Sequence, residues 1–390
     1  MYVLCWSFYF IKRRFRVPRK TILIFSAHAD WGGGEQSLLA FISAAHNEYH
    51  LHLALGEEGP LADKCRALEI PVHIAPIPYF LGNYRLVNGR YWYNFARLAR
   101  LIRNIGSSSL YLYCNGLFKS ELLILAMRLR FPQLRIISHI RNIFSDYPWH
   151  RHLALHLLNA RVSISLFVRH QLPCFAKQSP MTHVFHNIVD LESMQIQQEA
   201  FSIPFNHDPP WHIGIYSRLS PEKGQLDFLQ LAIKTRDMQL PWQFHIFGGP
   251  LYGGSFYIEE MQRLIESENL EDWVIWEGYK ADVLKLIAKL DVVSVFSSFE
   301  PLGRVVMESQ ALGRITLAYA VGGPLELIKH RVTGWLVPPH QLDEALIFLQ
   351  QAPQMADIMN IISRNSRQHA LNAYSPQKYL TNWRKVISMR

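Results

Sequence analysis

The sequence of 390 residues predicts an α/β protein with two Rossmann-like domains, each built on a parallel sheet. Three observations predict this class. Short apolar runs without strict alternation are separated by amphipathic stretches, which is typical of parallel strands covered by helices on both faces. This rhythm stops in a polar, proline-containing stretch at 198–211 and then restarts. The chain is also longer than a single hydrophobic core usually supports.

The first predicted domain covers residues 21–197. Apolar runs of strand length predict its strands at 21–27, 50–55, 109–114, 135–140 and 160–165. Apolar residues at helical spacing predict helices between them, including 35–45 and 93–105. Strands that alternate with helices in this way indicate βαβ units and a parallel sheet.

The second predicted domain covers residues 212–370, and the stretch 198–211 is predicted to be the linker. Its strands are predicted at 212–218, 242–249 and 292–298, with a helix at 224–235 and a further short strand after the turn at Gly334. In open parallel sheets, ligands bind beyond the carboxyl ends of the strands. The residues that follow each strand are therefore the candidate site residues.

The charge of the chain is unevenly distributed. Residues 1–190 contain 22 Lys and Arg against 10 Asp and Glu, whereas the remainder contains 18 against 21. This asymmetry indicates an anionic partner for the first half, such as nucleic acid or an acidic membrane surface. No nucleic-acid-binding motif is present, so nucleic acid is not predicted as a partner. The four cysteines form no CxxC pair, which argues against disulfides and structural zinc and suits the cytoplasm.

Residues 1–20 combine an apolar, aromatic run of eleven residues with six basic residues that follow it. The run is too short to span a bilayer, which needs about 20 residues. A signal peptide would carry its positive charge before the apolar run. The pattern suits a segment in the headgroup region of an anionic membrane, and predicts a peripheral protein on the inner face of the cell membrane. A start codon placed too early, or a tail that packs on its own domain, are the alternatives.

Glycines and cations follow two of the predicted strands. Gly33 and Gly34 precede a helix predicted to begin near Glu35, and glycines there let backbone N–H groups approach an anion. An ordinary turn is the alternative. Arg218 and Lys223 flank a proline-containing turn in the second domain. Two cations at the end of a strand suit a diphosphate, and a solvated loop is the alternative.

Two glutamates, Glu300 and Glu308, lie eight positions apart after a third strand. Glu300 precedes a helix predicted at 304–313, and Glu308 lies inside it. Leu302 and Gly303 lie at the start of this helix, where N–H groups have no partner within the helix. No pattern fixes the carboxylate separation that a glycosidase needs. The two carboxylates are therefore interpreted as acceptors of hydrogen bonds from the hydroxyl groups of a sugar or ribose.

Three stretches of the second half carry a family resemblance: SRLSPEKGQ, FEPLGRVVMESQALG and AVGGPLELIKHRVTGWLVPP. In this order and spacing they resemble the retaining nucleotide-sugar glycosyltransferases of family 4. These enzymes have the GT-B fold, in which two Rossmann-like domains face each other across a cleft. The first half is similar only in outline, through GGGEQSLL and SHIRN.

The resemblance implies a role for each residue of the donor site in the second domain. By this similarity Glu300 approaches the hydroxyls of the transferred sugar, and Glu308 holds the ribose of the nucleotide. Arg218 and Lys223 neutralise the diphosphate leaving group. The backbone of 302–303 meets the donor phosphate and sugar.

The resemblance also implies roles for the first domain and for the end of the chain. Gly33 and Gly34 would close over the diphosphate, and His139 would face the donor sugar across the cleft. His28 also follows a strand of this domain and is the alternative histidine. Residues 21–197 would bind the acceptor, and 212–370 the nucleotide sugar. Residues 371–390 would form a helix that returns to the first domain.

The function that the resemblance implies is transfer of a sugar, with retention, from a nucleotide-diphosphate sugar to a glycan or lipid-linked acceptor. The pathway implied is bacterial surface polysaccharide or lipopolysaccharide synthesis. The resemblance also implies that no metal and no cofactor is needed; Arg218 and Lys223 could take the place of a metal, and the lack of a DxD motif agrees with this. The alternatives are a catalytically silent, membrane-associated scaffold with the same fold, and a GT-B sugar-nucleotide epimerase.

Overall fold

The computed structural model describes residues 19–76, 89–106, 110–189, 205, 207–249, 255–280 and 283–388. Within these residues the chain forms two α/β units, each with its own parallel sheet. The predicted membrane segment lies almost entirely outside the described residues, as does most of the predicted linker. In the described part of the chain, no helix is long and apolar enough to cross a bilayer.

The first sheet has seven parallel strands in the order β3-β2-β1-β4-β5-β6-β7. The strands are β1 Thr21–Ser26, β2 His50–Leu55, β3 Val72–Ile74, β4 Leu110–Cys114, β5 Arg135–Ile140, β6 Ala160–Ser163 and β7 Thr182–Val184. The helices are α1 Gly33–Ala45, α2 Pro60–Ala67, α3 Gly89–Ile105, α4 Glu121–Arg130, α5 Trp149–Leu157, α6 Leu166–His170 and α7 Cys174–Lys177.

The second sheet has six parallel strands in the order β10-β9-β8-β11-β12-β13. The strands are β8 Trp211–Tyr216, β9 Trp242–Phe247, β10 Val274–Gly278, β11 Val292–Val295, β12 Ile315–Tyr319 and β13 Trp335–Val337. The helices are α8 Gln225–Asp237, α9 Ser255–Ser267, α10 Val283–Ile287, α11 Arg304–Ala311, α12 Pro324–Leu327, α13 Leu342–Gln351, α14 Ala356–Ala373 and α15 Pro376–Ser388.

The predicted fold class, two Rossmann-like domains with parallel sheets, is confirmed. All eight strands whose bounds were predicted are present, but β11 ends at Val295, three residues before its predicted end. Residues 296–298 instead leave the sheet toward the loop that carries Glu300. Strands β3, β7, β10 and β12 were not predicted.

Strand β4 explains why the strands of this sheet are apolar without alternation. All five of its residues are buried, because helices cover both faces of the sheet. Leu112 and Cys114 pack on the side of α3, α4 and α5, whereas Tyr111 and Tyr113 pack on the side of α1 and α15. Period-two alternation along a strand sends neighbouring side chains to opposite faces, so both faces must be apolar here.

The last helix, α15, packs against the first sheet although it follows the second in sequence. Trp383 is fully buried and makes edge contacts with Phe41, at a ring-centroid distance of 5.0 Å, and with Tyr113, at 5.3 Å. Lys20 donates a hydrogen bond to the carbonyl of Ile387 near the end of this helix, at 3.2 Å. The first domain therefore obtains part of its core from the end of the chain.

Candidate active site

The loops at the carboxyl ends of the two sheets face each other across a cleft with a volume of about 520 Å³. The first domain contributes residues that follow β1, β4 and β5, and the second contributes the loop between β11 and α11. Five of the sequence-predicted site residues line this cleft: Gly33, Gly34, Glu300, Leu302 and Gly303. The cleft therefore joins the glycine turn of the first domain to the glutamate loop of the second.

Lys223 and Glu300 form an ion pair at the second-domain wall of the cleft. Lys223 Nζ lies 2.7 Å from Glu300 Oε2, and the two side chains are only 18% and 15% exposed. Lys223 precedes α8, which follows β8, and Glu300 follows β11. Because β8 and β11 are neighbours in a parallel sheet, residues 77 positions apart meet at the same edge. The side chains are thus positioned by the sheet and not by local sequence.

The loop that carries Glu300 is fixed by hydrogen bonds within itself. Gly303 N donates to Glu300 Oε1 at 3.1 Å, and Ser297 Oγ approaches Oε2 at 3.4 Å. Gly303 has φ +95°, a conformation that residues with a Cβ rarely adopt. Behind the loop, a Cβ on Gly323 would lie 2.0 Å from the carbonyl oxygen of Leu302. Both glycines are therefore needed for this loop to reach its position.

Arg218 lies at the end of β8 but is oriented toward a neighbouring carboxylate. Its NH2 lies 3.3 Å from Glu222 Oε1, and its side chain is 56% exposed. Burial acts to raise the pKa of Glu222, but a hydrogen bond from Ser220 and the charges of Arg218 and Lys223 outweigh it and lower this pKa. Arg218 is not among the residues that line the cleft, and its charge is shared with Glu222.

Glu308 lies one turn into α11 and is held by a residue that the sequence interpretation missed. Its side chain is only 5% exposed, and Oε1 accepts a hydrogen bond from Arg304 Nε at 2.5 Å. Arg304 also reaches the first domain, where NH1 approaches the carbonyl of Gly33 at 3.3 Å and Ser37 Oγ at 3.2 Å. The spacing of Arg304 and Glu308, four residues on one helix, was a usable signal for this pair.

The glycine turn of the first domain is the start of a helix. Helix α1 begins at Gly33, two residues earlier than predicted, so the N–H groups of Gly33 and Gly34 belong to its first turn. Such N–H groups have no acceptor within the helix and carry the positive end of its dipole. Ideal Cβ positions on Gly33 and Gly34 lie 3.9 Å from Arg304 Cδ and 4.0 Å from Arg141 Cδ. The turn therefore lies between two arginines from opposite walls.

His139 does not lie with the other predicted site residues. It is fully buried on β5, on the face of the sheet covered by α15, and it is absent from the cleft wall. Tyr113 OH lies 2.7 Å from its Nδ1, and among the described residues Nε2 has no hydrogen-bond partner. Burial, together with the charge of Arg141, lowers the pKa of His139 well below its usual value. The expectation that His139 faces the donor sugar is corrected, because β5 ends at Ile140 and only the following residues enter the cleft.

Arg141, two residues beyond His139, lines the cleft. Its Nε donates to Asn115 Oδ1 at 2.7 Å and its NH1 to Asn187 Oδ1 at 2.9 Å. Both acceptors are neutral amide oxygens, and within the described part of the chain no carboxylate pairs with Arg141. Two asparagines therefore orient this cation at the cleft without cancelling its charge. Arg141 belongs to the same motif, SHIRN, as the predicted His139 and lies two positions after it.

His28, the alternative histidine, does line the cleft. Its Nδ1 lies 3.1 Å from Glu57 Oε1, and its Nε2 lies 2.8 Å from Lys119 Nζ. Because the ammonium of Lys119 can only donate, Nε2 accepts and Nδ1 carries the proton toward Glu57. His28 is thus held from both sides.

A second group of contacts joins the two domains beside the glutamate loop. Ser165 Oγ donates to the carbonyl of Pro301 at 2.6 Å. Leu166 N and Phe167 N, at the start of α6, donate to Glu326 Oε2 at 2.8 Å and to Oε1 at 2.5 Å. Burial acts to raise the pKa of Glu326, but these N–H groups and the nearby imidazole of His186 lower it. Glu326 therefore bridges the second domain to the first as an ionised carboxylate.

Among the described residues, no group of three or more His, Cys, Asp or Glu is arranged to hold a metal ion. The cleft is lined by Arg141, Arg304, the glycine turn of α1 and the carboxylate of Glu300, whereas Glu308 does not line it and pairs with Arg304. Cations and N–H groups bind anions, and carboxylates accept hydrogen bonds from hydroxyl groups. The arrangement can therefore bind a phosphorylated, hydroxyl-rich ligand.

Solved structures with this architecture define the class of fold as GT-B. HepE of Anabaena, in complex with UDP-glucose, has a TM-score of 0.75 at 20% identity, covering 95% of this chain and 100% of that one. The lipopolysaccharide outer core galactosyltransferase WaaB, in its apo form, has a TM-score of 0.69 at 18% identity, covering 94% and 99%. At these identities the likeness establishes the fold alone.

The second domain carries the sequence similarity to a known family. Residues 196–368 match the family model described as Glycosyl transferases group 1, so this part of the chain is similar to that family. The poly(ribitol-phosphate) alpha-N-acetylglucosaminyltransferase of Staphylococcus aureus (strain COL) is 24% identical over 193 residues. The match covers 47% of this chain and 37% of that relative, well under two thirds of its length. The family resemblance predicted from the sequence is confirmed.

Proposed function

We propose that this protein is a retaining, metal-independent glycosyltransferase that uses a nucleotide-diphosphate sugar as donor and a glycan or lipid-linked molecule as acceptor. The observation that carries the proposal is the Lys223–Glu300 pair, fixed at 2.7 Å on the cleft wall opposite the glycine turn of α1. It combines a cation for a leaving diphosphate with a carboxylate for sugar hydroxyls at one point.

The reaction breaks the bond between the anomeric carbon of the donor sugar and the diphosphate oxygen. A bond from an acceptor hydroxyl oxygen to the same carbon forms on the same face, and a phosphate oxygen of the leaving group takes the hydroxyl proton. Negative charge grows on the diphosphate as it leaves, so cations and helix N–H groups fixed there stabilise the transition state. Lys223, Arg218 and the N–H groups of 33–34 are the groups proposed for this role.

Arg304 and Arg141 are proposed as two further residues of the donor site. Arg304 holds Glu308 in place for the ribose and contacts the glycine turn across the cleft. Arg141 brings a second cation from the first domain, next to Gly34. Closure of the two domains around the donor would exclude water and so limit its hydrolysis.

The pathway proposed is synthesis of a bacterial surface polysaccharide or lipopolysaccharide, with the enzyme acting in the cytoplasm at the inner face of the cell membrane. Support comes from what the names of similar proteins state: a poly(ribitol-phosphate) transferase and a lipopolysaccharide outer core galactosyltransferase. The uneven charge supports the membrane location, because the first half carries the excess of Lys and Arg.

The test is a thermal-shift screen of the full chain against UDP-, GDP-, ADP- and dTDP-sugars in the presence of EDTA. A ligand at a hundred times its Kd stabilises the native state by about 2.7 kcal/mol. Stabilisation by one nucleotide series, lost in Arg218→Ala and Lys223→Ala, is expected. Stabilisation that appears only when a divalent metal replaces EDTA would contradict the proposal that the enzyme is metal-independent. No response to any donor would favour the catalytically silent scaffold.

A further inference from the structure

One face of the first domain is rich in exposed arginines. Helices α3, α4 and α5 cover this face of the first sheet. Between residues 89 and 158 the sequence contains ten Lys and Arg but only two Asp and Glu. Of these two, Glu121 is buried in an ion pair with Arg151 at 3.1 Å, and Asp146 lies before α5. The three helices therefore present no carboxylate to solvent.

The exposed charged residues of these helices are arginines. Arg97, Arg100 and Arg103 are exposed on α3 and follow one another at a spacing of three residues, which places them along one side of the helix. Arg130 is exposed at the end of α4. The outward surface of α3, α4 and α5 is called the cationic face below.

The cationic face also exposes large apolar side chains. Leu129 is 84% exposed, Trp149 and Tyr93 are each 64% exposed, and Leu153 is 42% exposed. Trp149 and Leu153 are four residues apart on α5 and so lie on the same side of it. Single exposed apolar residues are normal on a protein surface, but here four share one face with the arginines. A soluble anionic polymer would bind through the arginines alone and would not need these apolar side chains.

We propose that the cationic face docks on an anionic lipid surface. The arginines would pair with lipid phosphates, while Leu129, Trp149 and Leu153 enter the boundary between headgroups and acyl chains. The face belongs to the helical layer of the first sheet and not to the sheet edge that forms the cleft, so docking leaves the cleft accessible. The proposal is independent of the proposed reaction, because it concerns a surface and not the donor site.

The test is sedimentation of the full chain with vesicles of phosphatidylcholine alone or mixed with phosphatidylglycerol. The variant Arg100→Glu/Arg103→Glu is compared with Lys378→Glu/Lys385→Glu, which changes charge equally on α15, at the opposite face of the sheet. Each basic residue near an anionic surface contributes a factor of about five, so loss of the two arginines alone is expected to weaken binding on the order of 30-fold, and the two added carboxylates weaken it further. The control is expected to bind acidic vesicles nearly as wild type does.

A second comparison tests the apolar contribution. Trp149→Ser/Leu153→Ser is expected to lower binding to acidic vesicles, whereas Ile358→Ser/Ile361→Ser, at exposed positions of α14, is not. Binding by the arginine variant equal to wild type would overturn the proposal. Vesicle binding that is lost only on deletion of residues 1–18 would also overturn it. The proposal would likewise fail if the protein bound heparin through this face while Trp149→Ser/Leu153→Ser bound vesicles as wild type does. The midpoint of thermal unfolding of each variant, measured without ligand, verifies that the fold is intact.

Discussion

The ion pair between Lys223 and Glu300 is the sharpest test of the donor-site assignment. We predict that Lys223→Ala and Glu300→Ala each lower sugar transfer severely and leave the fold intact. In Lys223→Ala the diphosphate loses a fixed cation, and in Glu300→Ala the sugar loses a hydrogen-bond acceptor. Both also break the pair, so each effect must be separated from a loss of stability.

The size of the expected effect follows from the geometry. Removing one fixed group that stabilises developing charge in a transition state costs about 10²- to 10³-fold in kcat. Removing one partner of a charged hydrogen bond lowers the free energy of unfolding by roughly 1.5–3 kcal/mol when the other partner stays buried. Because the two side chains are only 18% and 15% exposed, each single variant should lie near the upper end of this range. The double variant should therefore be less destabilised than the sum of the single variants.

The assay measures kcat and KM for transfer from the donor identified in the thermal-shift screen, together with unfolding in urea. Lys234→Ala is the matched control. Lys234 Nζ lies 2.8 Å from Asp343 Oδ1, at a similar distance, but the side chains are 42% and 79% exposed. An exposed pair contributes about 0–1 kcal/mol, and no change in kcat is expected. A fully active Glu300→Ala enzyme would falsify the donor-site assignment.

Three further predictions concern residues around the cleft. Arg304→Ala should weaken nucleotide binding at least about tenfold by calorimetry, because Glu308 loses the charged partner that fixes it; unchanged affinity would contradict this. His139→Asn should retain transfer activity. The pKa of His139 is depressed in the folded state, so the wild type loses up to about 1.4 kcal/mol of its free energy of unfolding per pH unit as pH falls below 6.5. His139→Asn should lose this part of the pH dependence, which urea unfolding at two pH values measures. Glu326→Gln should lower the free energy of unfolding by about 1–2 kcal/mol at pH 7. Because the folded pKa of Glu326 is lowered, the difference from wild type should shrink as pH falls below about 4.5; a constant difference would refute the charge argument.

The sequence predicted the architecture because the pattern that encodes it is local. Buried parallel strands need apolar residues on both faces, and five such runs in the first half and three in the second marked most of the sheets. The strands that were not predicted have three to five residues, and in β3 none of the three is fully buried. A strand as short and partly covered as β3 carries too little apolar pattern to be distinguished from a loop, whereas the five residues of β12 are all buried and its apolar run was overlooked.

The candidate site was predictable only where its residues belong to one stretch of chain. Glu300 and Gly303 lie in one loop, and its motif identified both. Whether His139 or Arg141 faces the cleft depends on where β5 ends, and a shift of two residues decides between core and surface. The contact between Arg304 and Gly33 joins residues 271 positions apart, and it depends on how the two domains approach each other. No local pattern encodes that approach.

The return of α15 to the first sheet has a consequence for the order in which the molecule folds. Tyr379, Trp383 and Ile387 fill one side of the core of the first domain, yet they are synthesised after the whole second domain. During synthesis, the α1 side of the first sheet stays exposed until these residues leave the ribosome. The first domain therefore cannot mature as an independent N-terminal unit, and a chain that stops before α15 exposes apolar surface around Phe41 and Tyr113 to aggregation.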